Sequence, residues 1–523
     1  MCNKIKTVIA SSIWHDSNRR SWQPRLWTLI WIATAWLGGI EPASVQAQDR
    51  GTIGVTLLVL EDPTLTGSGV RMAQVEAGFP NWEVNSTNIQ PAAVFNYYGS
   101  NGTTTAFPNS LGLESDHADE VGALLYGPQG VVPGISIVDN YEGNYFENDL
   151  LVPGLSIPAL LINQSFVNTS ANAQQQAQGD NFFDNYAAQH SVLFISGAGN
   201  GGAVDSPGSC YNGLGVGAYG GASSVGPTPD NGRCKPDITA PAGATSFSTP
   251  QVSGAAAILW QAANRGDGGA GTTSIATAPK TIKALLLNGA VKPADWTNST
   301  VNPFDFRYGS GILNVFNSWY QLKSGRVAQG QTSNTKLIGW DNATITVQPG
   351  VAAINHYYFQ IPAGAGQSSL LSTTLVWEKH AQSTSINNLD LNLYHTEDNS
   401  LAASSQSQVD NVQHLFIPGL RAGAYDLQVV SSAPDGILPF SASENYALAL
   451  SLTSGTLTIQ QNGNGIQLVW PLYPAGSVLQ EVTSLGTGMD WTNPNSPATI
   501  VNGQNVVTLT GLGATMFFRL AVP

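Results

Sequence analysis

The spacing of apolar residues along the chain changes near residue 330. Between about residues 50 and 320, apolar runs of strand length, such as Val70–Val75 and Val192–Ile195, alternate with helix-like stretches such as Pro250–Ala263. Alternation of buried-type strands with helices is typical of an α/β domain with a largely parallel sheet. The pattern therefore predicts an α/β fold for residues 48–325.

Beyond residue 330 the pattern becomes that of short, alternating strands. Ala343–Val347 and Tyr425–Val430 are two of them, and turns rich in Gly, Pro, Asn and Asp separate the strands. Such spacing indicates an all-β region. A weaker break at Ser454-Gly455 divides it, so we predict a jelly-roll-like β-sandwich at 330–454 and a small C-terminal β-module at 455–523.

The first 47 residues have the pattern of an export signal. Basic residues precede the apolar run Leu26–Ile40, and small residues follow it up to Ala47. We predict a signal peptide cleaved after Ala47, which makes the mature protein secreted, periplasmic or displayed at the cell surface. A membrane anchor is the alternative, but the apolar run is shorter than the ~20 residues of a spanning helix. The Arg19-Arg20 pair leaves the export route open.

Composition narrows the class of protein. Charged residues make up 10% of the chain and hydrophobic residues 42%, with 56 glycines, which suits a β-rich, loop-rich globular protein. The net charge of −14 argues against nucleic acid as a partner, because phosphate binding needs clustered basic charge. The oligomeric state is not indicated by the sequence.

Two cysteines, Cys210 and Cys234, remain once the signal is removed. Both lie in glycine-rich loop sequence, in a chain bound for an oxidising compartment. We predict a disulfide between them, and two buried thiols are the alternative.

A serine at a predicted loop-to-helix junction is the strongest chemical signal. Lys235–Pro241 is followed by Ala244-Thr245-Ser246-Phe247-Ser248-Thr249-Pro250 and then by a run of small apolar residues. A serine at this point has an exposed hydroxyl beside helix-terminal N–H groups, which favour developing negative charge. A serine that merely caps a core helix is the alternative.

This segment resembles the nucleophile motif of the subtilisin family, with Ala244 where glycine normally stands and Ser246 matching the nucleophile. The stretch Asp116–Gly127 is similar to the family's histidine helix, with Ala118 in place of a glycine. The resemblance implies that His117 is the general base. His190, the other histidine of this region, precedes a strand and is interpreted as structural.

Two further segments extend the resemblance over residues 69–320. Val192–Gly202 is similar to the oxyanion segment, which implies that the Asn200 amide and the Ser246 N–H bind the oxyanion. Gly69–Gly78 matches the strand that carries the triad carboxylate, with Glu76 in place of the usual aspartate. Asp62 and Asp119 are the rival carboxylates.

Leu161–Phe166 resembles the family's edge strand, which holds an extended substrate by β-addition. Ser165, Phe166 and Gly197 are expected to line the pocket for the residue before the cut. The implied substrates are proteins or peptides.

Taken together, these motifs predict a secreted serine endopeptidase with a Ser–His–Glu triad that forms an acyl-enzyme. A catalytically inactive binding or adhesion protein of the same fold is the alternative, because Glu76, Ala118 and Ala244 depart from the family pattern. This chemistry requires no cofactor. Calcium could serve as a structural ion between Asp390 and Asp410, although acidic turn residues have the same pattern.

Overall fold

One eight-stranded sheet organises the first part of the protein. The computed structural model describes residues 49–521, apart from gaps at 331–334, 348–350, 363–368, 432–441, 455–456, 463–464, 485–489, 502–503 and 511–515. The predicted signal peptide, residues 1–47, lies outside the described residues. The described residues belong to one compact unit.

The strands of this part are β1 (Arg71–Glu76), β2 (Asn81–Glu83), β3 (Val94–Gly99), β4 (Gly102–Thr104), β5 (Leu113–Glu114), β6 (Ile137–Glu142), β7 (Leu161–Gln164), β8 (Leu193–Gly197), β9 (Leu214–Tyr219) and β10 (Ile238–Pro241). The helices are α1 (Val55–Glu61), α2 (Ser86–Ile89), α3 (Asp116–Leu125), α4 (Gly143–Tyr145), α5 (Ala173–His190), α6 (Thr245–Asn264), α7 (Thr273–Ala276), α8 (Pro279–Gly289) and α9 (Val315–Lys323). A π-helical turn, Phe146–Leu151, continues directly from α4.

The sheet has the order β10-β9-β8-β7-β1-β6-β3-β4. Neighbouring strands run parallel from β10 to β3, and β4 pairs antiparallel with β3. Parallel strands have their carboxyl ends at one edge, where ligand sites of α/β sheets form. The ends of β1, β7 and β8 therefore meet at this edge, beside the N-termini of α3 and α6.

Helices cover both faces of the sheet, so its central strands are almost continuously apolar or buried. Met72, Ile195 and Ile258 belong to the core on the α3, α6 and α8 side. Val75 and Phe194 belong to a second core on the α5 side. The predicted α/β fold with a parallel sheet is confirmed.

The later strands form antiparallel sheets. They are β11 (Ile338–Thr346), β12 (Ala353–Ile361), β13 (Ser369–Trp377), β14 (Leu389–His395), β15 (Leu401–Ser405), β16 (Val412–Leu420), β17 (Gly423–Ser431), β18 (Ser443–Ser454), β19 (Thr458–Asn462), β20 (Gly465–Pro471), β21 (Val478–Val482), β22 (Thr499–Val501), β23 (Gln504–Thr510) and β24 (Phe517–Ala521). Two four-stranded sheets, β11-β18-β13-β16 and β12-β17-β14-β15, enclose a core that contains Tyr357, Trp377 and Leu448.

The last strands form a four-stranded sheet, β19-β20-β23-β22, and a separate pair, β21-β24. Leu468, Trp470 and Val507 belong to their own small core. The β-rich character predicted beyond residue 330 is confirmed, while the exact domain limits stay a prediction. In the part of the chain that the structure describes, no helix combines the length and the apolar character needed to cross a bilayer.

Helix α8 joins the α/β region to the β-sandwich. All of its residues from Thr281 to Gly289 are buried, as expected of a helix packed on every side. The Asn288 side chain donates to the Ser372 carbonyl oxygen at 3.2 Å and accepts from the Ser372 and Thr374 hydroxyls at 2.9 and 3.0 Å. Both of these residues lie on β13, so one asparagine fixes the position of the sandwich against α8.

The predicted disulfide is wrong for this structure, because Cys210 and Cys234 are both free, buried thiols. Cys210 belongs to the core on the α5 side of the sheet, while Cys234 belongs to the core on the α6 side. Glycine-rich loop sequence suggested proximity, but it did not reveal that the sheet separates the two side chains.

Candidate active site

Glu76 and His117 meet at the carboxyl edge of the sheet. The carboxylate Oε2 of Glu76 lies 2.9 Å from Nδ1 of His117. Glu76 is the last residue of β1, and its side chain is 2% exposed, whereas the His117 side chain is 41% exposed. One imidazole edge is therefore fixed by a buried carboxylate while the ring stays accessible to solvent.

The other oxygen of Glu76 is also held. Gln74 lies two residues earlier on the same face of β1 and donates from Nε2 to Glu76 Oε1 at 2.7 Å. The same Nε2 donates to the Ala118 carbonyl oxygen at 2.9 Å, and Tyr126 donates its hydroxyl to Gln74 Oε1 at 2.5 Å. Gln74 thus connects the carboxylate to both ends of α3, the helix that carries His117.

The environment raises the pKa of His117. Burial of part of the ring favours the neutral form, but the charge of Glu76, its hydrogen bond and the charge of Glu120 together outweigh that effect. His117 follows the first residue of α3, whose N-cap Ser115 accepts from the Ala118 N–H at 3.3 Å. The imidazolium is therefore stabilised by two carboxylates.

Ser246 lies in the first turn of α6, one residue after the helix begins at Thr245. The backbone N–H groups of this turn have no partners inside the helix. The Thr245 N–H is taken up by Asn200 Oδ1 at 2.9 Å. The Ser246 N–H has no hydrogen-bond acceptor among residues 49–521 where these are described, so it remains available to an anionic group.

Asn200 is fixed through its amide oxygen. Oδ1 accepts from both the Thr245 N–H and the Thr245 hydroxyl at 2.9 Å. Because the oxygen is engaged twice, the NH₂ group is the end left for other partners. Asn200 is exposed, as expected for a donor at an open cleft.

The hydroxyl of Ser246 is engaged with Ser165. Ser246 Oγ donates to the Ser165 carbonyl oxygen at 3.2 Å, and Ser165 Oγ donates to the Ser246 carbonyl oxygen at 3.0 Å. No hydrogen bond between Ser246 and His117 occurs in the described region. The neighbouring Phe247 ring lies 6.0 Å from the His117 ring, centroid to centroid, which brings the two segments to one cleft.

The structure differs from expectation at the predicted substrate strand. β7 pairs with both β1 and β8, so Leu161–Gln164 is a central strand and cannot add a peptide along its length. The segment that follows it, from Ser165 to Asn168, is not part of the sheet. Ser165 is buried, Phe166 is half-buried, and Gly197 is buried where an added Cβ would lie 3.3 Å from the Thr245 hydroxyl.

The rival residues have other partners. Asp62 forms ion pairs with Arg265, and Asp119 accepts from the Asn85 N–H at 2.6 Å. His190 Nε2 lies 3.1 Å from the Gly154 carbonyl oxygen, and its ring packs on Tyr186. Among the candidates weighed, the structure brings only Glu76 against His117.

Glu147 is a buried carboxyl that has no ion pair within the part of the chain that the structure describes. Glu147, in the π-helical turn, accepts from Asn168 Nδ2 at 2.8 Å, and burial raises its pKa to about 7. Asn168 in turn donates its backbone N–H to the Ser206 carbonyl oxygen at 2.6 Å. The segment beyond β7 is thereby held to the π-helical turn and to the loop that contains Ser206.

The described side chains contain no cluster of three or more His, Cys, Asp and Glu residues that could hold a metal ion. Asp410, one of the two residues considered for calcium, accepts from the Cys234 N–H at 2.8 Å and from the Ser407 hydroxyl at 2.7 Å. Calcium binding stays a prediction.

Sequence reasoning missed three buried polar residues beside the site: Gln74, which donates to Glu76, and Asn163 and Ser253, which are joined by a hydrogen bond of 2.8 Å. Alternation along β1 could have revealed Gln74, since a second polar residue on the buried face of a central strand needs a partner. Ser253 gave a weaker signal, seven residues after Ser246 and hence on the same face of α6.

Residues 157–311 match the model of peptidase family S8, the subtilase family. Among solved structures, tripeptidyl peptidase 2 has 14% identity and a TM-score of 0.28, over 71% of this chain and 44% of that one. The serine protease MycP1, described as an essential component of the type VII (ESX-1) secretion system, has 17% identity and a TM-score of 0.32, over 54% and 90%.

This chain thus spans less than half the length of tripeptidyl peptidase 2. TM-scores below 0.5 do not establish a common architecture, so the assignment rests on the family match. That match includes Asn200 and Ser246 and covers much of the sheet whose edge holds the site. Residues 157–311 are thus similar to the subtilase family, and the resemblance found in the sequence is confirmed over that part of the chain.

Proposed function

We propose that this protein is a secreted serine endopeptidase, with Ser246 as nucleophile, His117 as general base and Glu76 as the supporting carboxylate. The observation that carries the proposal is the 2.9 Å contact between Glu76 Oε2 and His117 Nδ1, in a cleft that also contains the first turn of α6. A buried carboxylate on one edge of an accessible imidazole is the arrangement that a general base needs.

The first half of the reaction forms the acyl-enzyme. His117 Nε2 takes the proton of Ser246 Oγ as that oxygen bonds to the carbonyl carbon of the scissile peptide. The carbonyl oxygen becomes an oxyanion, which the Asn200 NH₂ and the Ser246 N–H are available to bind. His117 then gives its proton to the leaving amine as the C–N bond breaks.

The second half releases the acyl group. A water molecule gives a proton to His117 and attacks the ester carbon, and the proton returns to Ser246 as the ester bond breaks. The Glu76 carboxylate stabilises the imidazolium that forms in each half. Gln74 holds the second oxygen of Glu76 and so helps to fix this longer side chain against the imidazole.

Extended polypeptide is the proposed substrate, bound beside Ser165, Phe166 and Gly197. The backbone from Ser165 to Val167 leaves the sheet after β7 and is proposed to pair with the substrate, whereas the Asn168 N–H is already bonded to the Ser206 carbonyl oxygen. The protein is proposed to act outside the cytoplasm, after cleavage behind Ala47. N-terminal sequencing of the exported protein tests that cleavage position.

A non-catalytic binding role is the second candidate. It is favoured by one observation, the hydrogen bond that Ser246 Oγ donates to the Ser165 carbonyl oxygen. The two candidates differ in a single measurable property, the reactivity of Ser246.

The test is labelling of the purified protein, lacking residues 1–47, with a fluorophosphonate probe, beside Ser246→Ala and Ser248→Ala. Hydrolysis of a quenched peptide blocked at both termini is followed in parallel, which separates endopeptidase from exopeptidase activity. We expect labelling and hydrolysis to be lost in Ser246→Ala and kept in Ser248→Ala. A well-folded wild type that takes up no label would favour the binding role.

A further inference from the structure

We infer that a chain of three buried side chains, Ser253, Asn163 and Ser165, is a positioning relay that holds the backbone of Ser246 in register with the sheet. The inference deepens the proposed function and rests on it. In this role Ser253 and Asn163 affect turnover although neither of them contacts the substrate.

The relay is continuous in its donors and acceptors. Ser253 Oγ donates to Asn163 Oδ1 at 2.8 Å, and Asn163 Nδ2 donates to Ser165 Oγ at 3.2 Å. Ser165 Oγ then donates to the Ser246 carbonyl oxygen at 3.0 Å. Ser253 and Asn163 are fully buried and Ser165 is 4% exposed, so the first two bonds are made away from water, and the third leads to the half-buried Ser246.

A proline makes the last bond of the relay available. In a regular helix the Ser246 carbonyl oxygen would accept from the N–H of the residue four positions later. That residue is Pro250, which lies inside α6 and has no N–H. Ser165 supplies the missing donor, so the carbonyl beside the nucleophile is bound to the segment after β7 instead of to its own helix.

The two ends of the relay lie on one helix. Ser246 and Ser253 are seven residues apart, which places them on the same face of α6 and about 10 Å apart along its axis. Between them, Asn163 is an inward residue of β7, the strand beside β1. The relay therefore fixes the first two turns of α6 against the strand next to the one that carries Glu76.

This geometry bears on the reaction because Ser246 and the His117–Glu76 pair belong to different elements. A displacement of about 1 Å at a reacting group can cost about 10²-fold in rate. A helix terminus tied to the sheet at two points resists such displacement better than one held by packing alone. Loss of the relay should lower kcat while leaving the ionisation of His117 unchanged.

The first arm of the test uses Ser253→Ala, which removes the relay's buried far end. We expect kcat for the quenched peptide to fall about ten-fold, with KM within two-fold and an unshifted pH–rate profile. The matched control is Ser318→Ala, a fully buried serine on α9 whose hydroxyl donates to the Asn314 carbonyl oxygen at 3.2 Å. It should lower Tm comparably and keep kcat. Equal kcat in wild type and Ser253→Ala would overturn the relay.

The second arm asks whether the bond positions Ser246 or merely supplies a hydrogen-bond donor to the Ser246 carbonyl oxygen. Ser165→Ala leaves the Ser246 carbonyl oxygen without its donor, and adding Pro250→Ala gives it an N–H from its own helix. We expect the double variant to regain Tm and to keep the low kcat of Ser165→Ala. Recovery of kcat together with Tm would show that the bond is structural only.

The third arm can be read even in a protein that the fluorophosphonate probe does not label. The Tm values of wild type, Ser165→Ala, Ser253→Ala and the double variant form a cycle. A relay predicts that the two losses are not additive, whereas independent packing contacts predict that they add. Additive losses would overturn the inference, whatever the outcome for the proposed activity.

Discussion

Gln74 and Glu76 are joined by a hydrogen bond of 2.7 Å between the amide Nε2 and the carboxylate Oε1. The bond is possible because alternate side chains of a β-strand point to the same face of the sheet. Glu76 thus receives a neutral donor on one oxygen and the His117 ring on the other. A glutamate, with one more rotatable bond than aspartate, is fixed by two contacts.

Glu76→Gln is expected to lower turnover by a factor on the order of 10²–10⁴, because a neutral amide cannot stabilise the imidazolium. Glu76→Asp should retain part of the activity, since it keeps the charge with a shorter reach. Peptide hydrolysis and Tm are measured side by side. Wild-type turnover in Glu76→Gln would remove Glu76 from the mechanism.

Gln74→Leu is expected to destabilise the protein by about 1–3 kcal/mol, since Tyr126 and Glu76 each lose a buried partner. It should also lower turnover, because Glu76 Oε1 is no longer held. Tyr126→Phe is the matched control, since it removes one hydroxyl and leaves the bond between Gln74 and Glu76 intact. Chemical denaturation and kcat report the two effects, and an unchanged kcat in Gln74→Leu would contradict this role.

The pH dependence of kcat/KM should have a rising limb centred above pH 6.5, the ordinary value for histidine. The base acts when His117 is neutral, and the two carboxylates raise its pKa despite its partial burial. Glu120→Gln should move the midpoint to lower pH, while Glu397→Gln, at an exposed turn of the sandwich, should not. A midpoint below 6.5 in the wild type would contradict the electrostatic account.

The raised pKa of His117 also makes the stability of the fold depend on pH. A histidine whose folded-state pKa is raised stabilises the fold fully below its unfolded value, and that contribution is lost as pH rises through the folded value. The rise in activity is therefore accompanied by loss of the stability that protonated His117 contributes.

Glu147→Gln is expected to stabilise the protein relative to the wild type, and by more at pH 8 than at pH 5. The carboxyl has a pKa of about 7 when folded, so folding opposes its ionisation between the unfolded value of 4.5 and 7. The cost reaches about 3 kcal/mol above pH 7 and is absent below 4.5. Asp149→Asn, two residues away and exposed, is the control. Thermal melts at both pH values test this, and equal gains at the two would contradict it.

Cys210 and Cys234 are expected to resist thiol reagents in the native protein, because burial raises the pKa of both thiols. In the protein lacking residues 1–47, two thiols should react after denaturation, and reductant should leave Tm unchanged. Counting thiols under native and denaturing conditions decides the matter. Absence of reactive thiols in the denatured, unreduced protein would show that a disulfide forms.

The sequence predicted the strands and helices of the site better than it predicted which strands lie side by side in the sheet. The strands that end at Glu76 and Gly197 and the helix that begins near Ser246 follow from periodicity and from the family resemblance. Periodicity assigns a residue to a face, but it does not tell which strand lies alongside. The family resemblance predicts an edge position for Leu161–Phe166, whereas Leu161–Gln164 pairs on both sides and lies within the sheet.

The start of α6 shows a second limit. Pro250 suggested that the regular helix begins there, whereas α6 begins five residues earlier. Proline is tolerated in the second turn because Ser165, which lies 81 positions before Ser246, donates to the Ser246 carbonyl oxygen in place of the N–H that Pro250 lacks. A contact between residues so distant in sequence is not visible from local propensity. The predicted disulfide between Cys210 and Cys234 is wrong for the same reason, because loop composition does not indicate that the sheet lies between the two side chains.

Helix α8 is packed on every side, between the α/β core and strand β13 of the sandwich. Neither region can unfold without exposing part of this helix to water, so their stabilities are thermodynamically coupled. Removal of the sandwich at the boundary near residue 330 would therefore destabilise the α/β region as well. A chain ending there would keep all the proposed catalytic residues and lose the partner that keeps Asn288 and its helix dry.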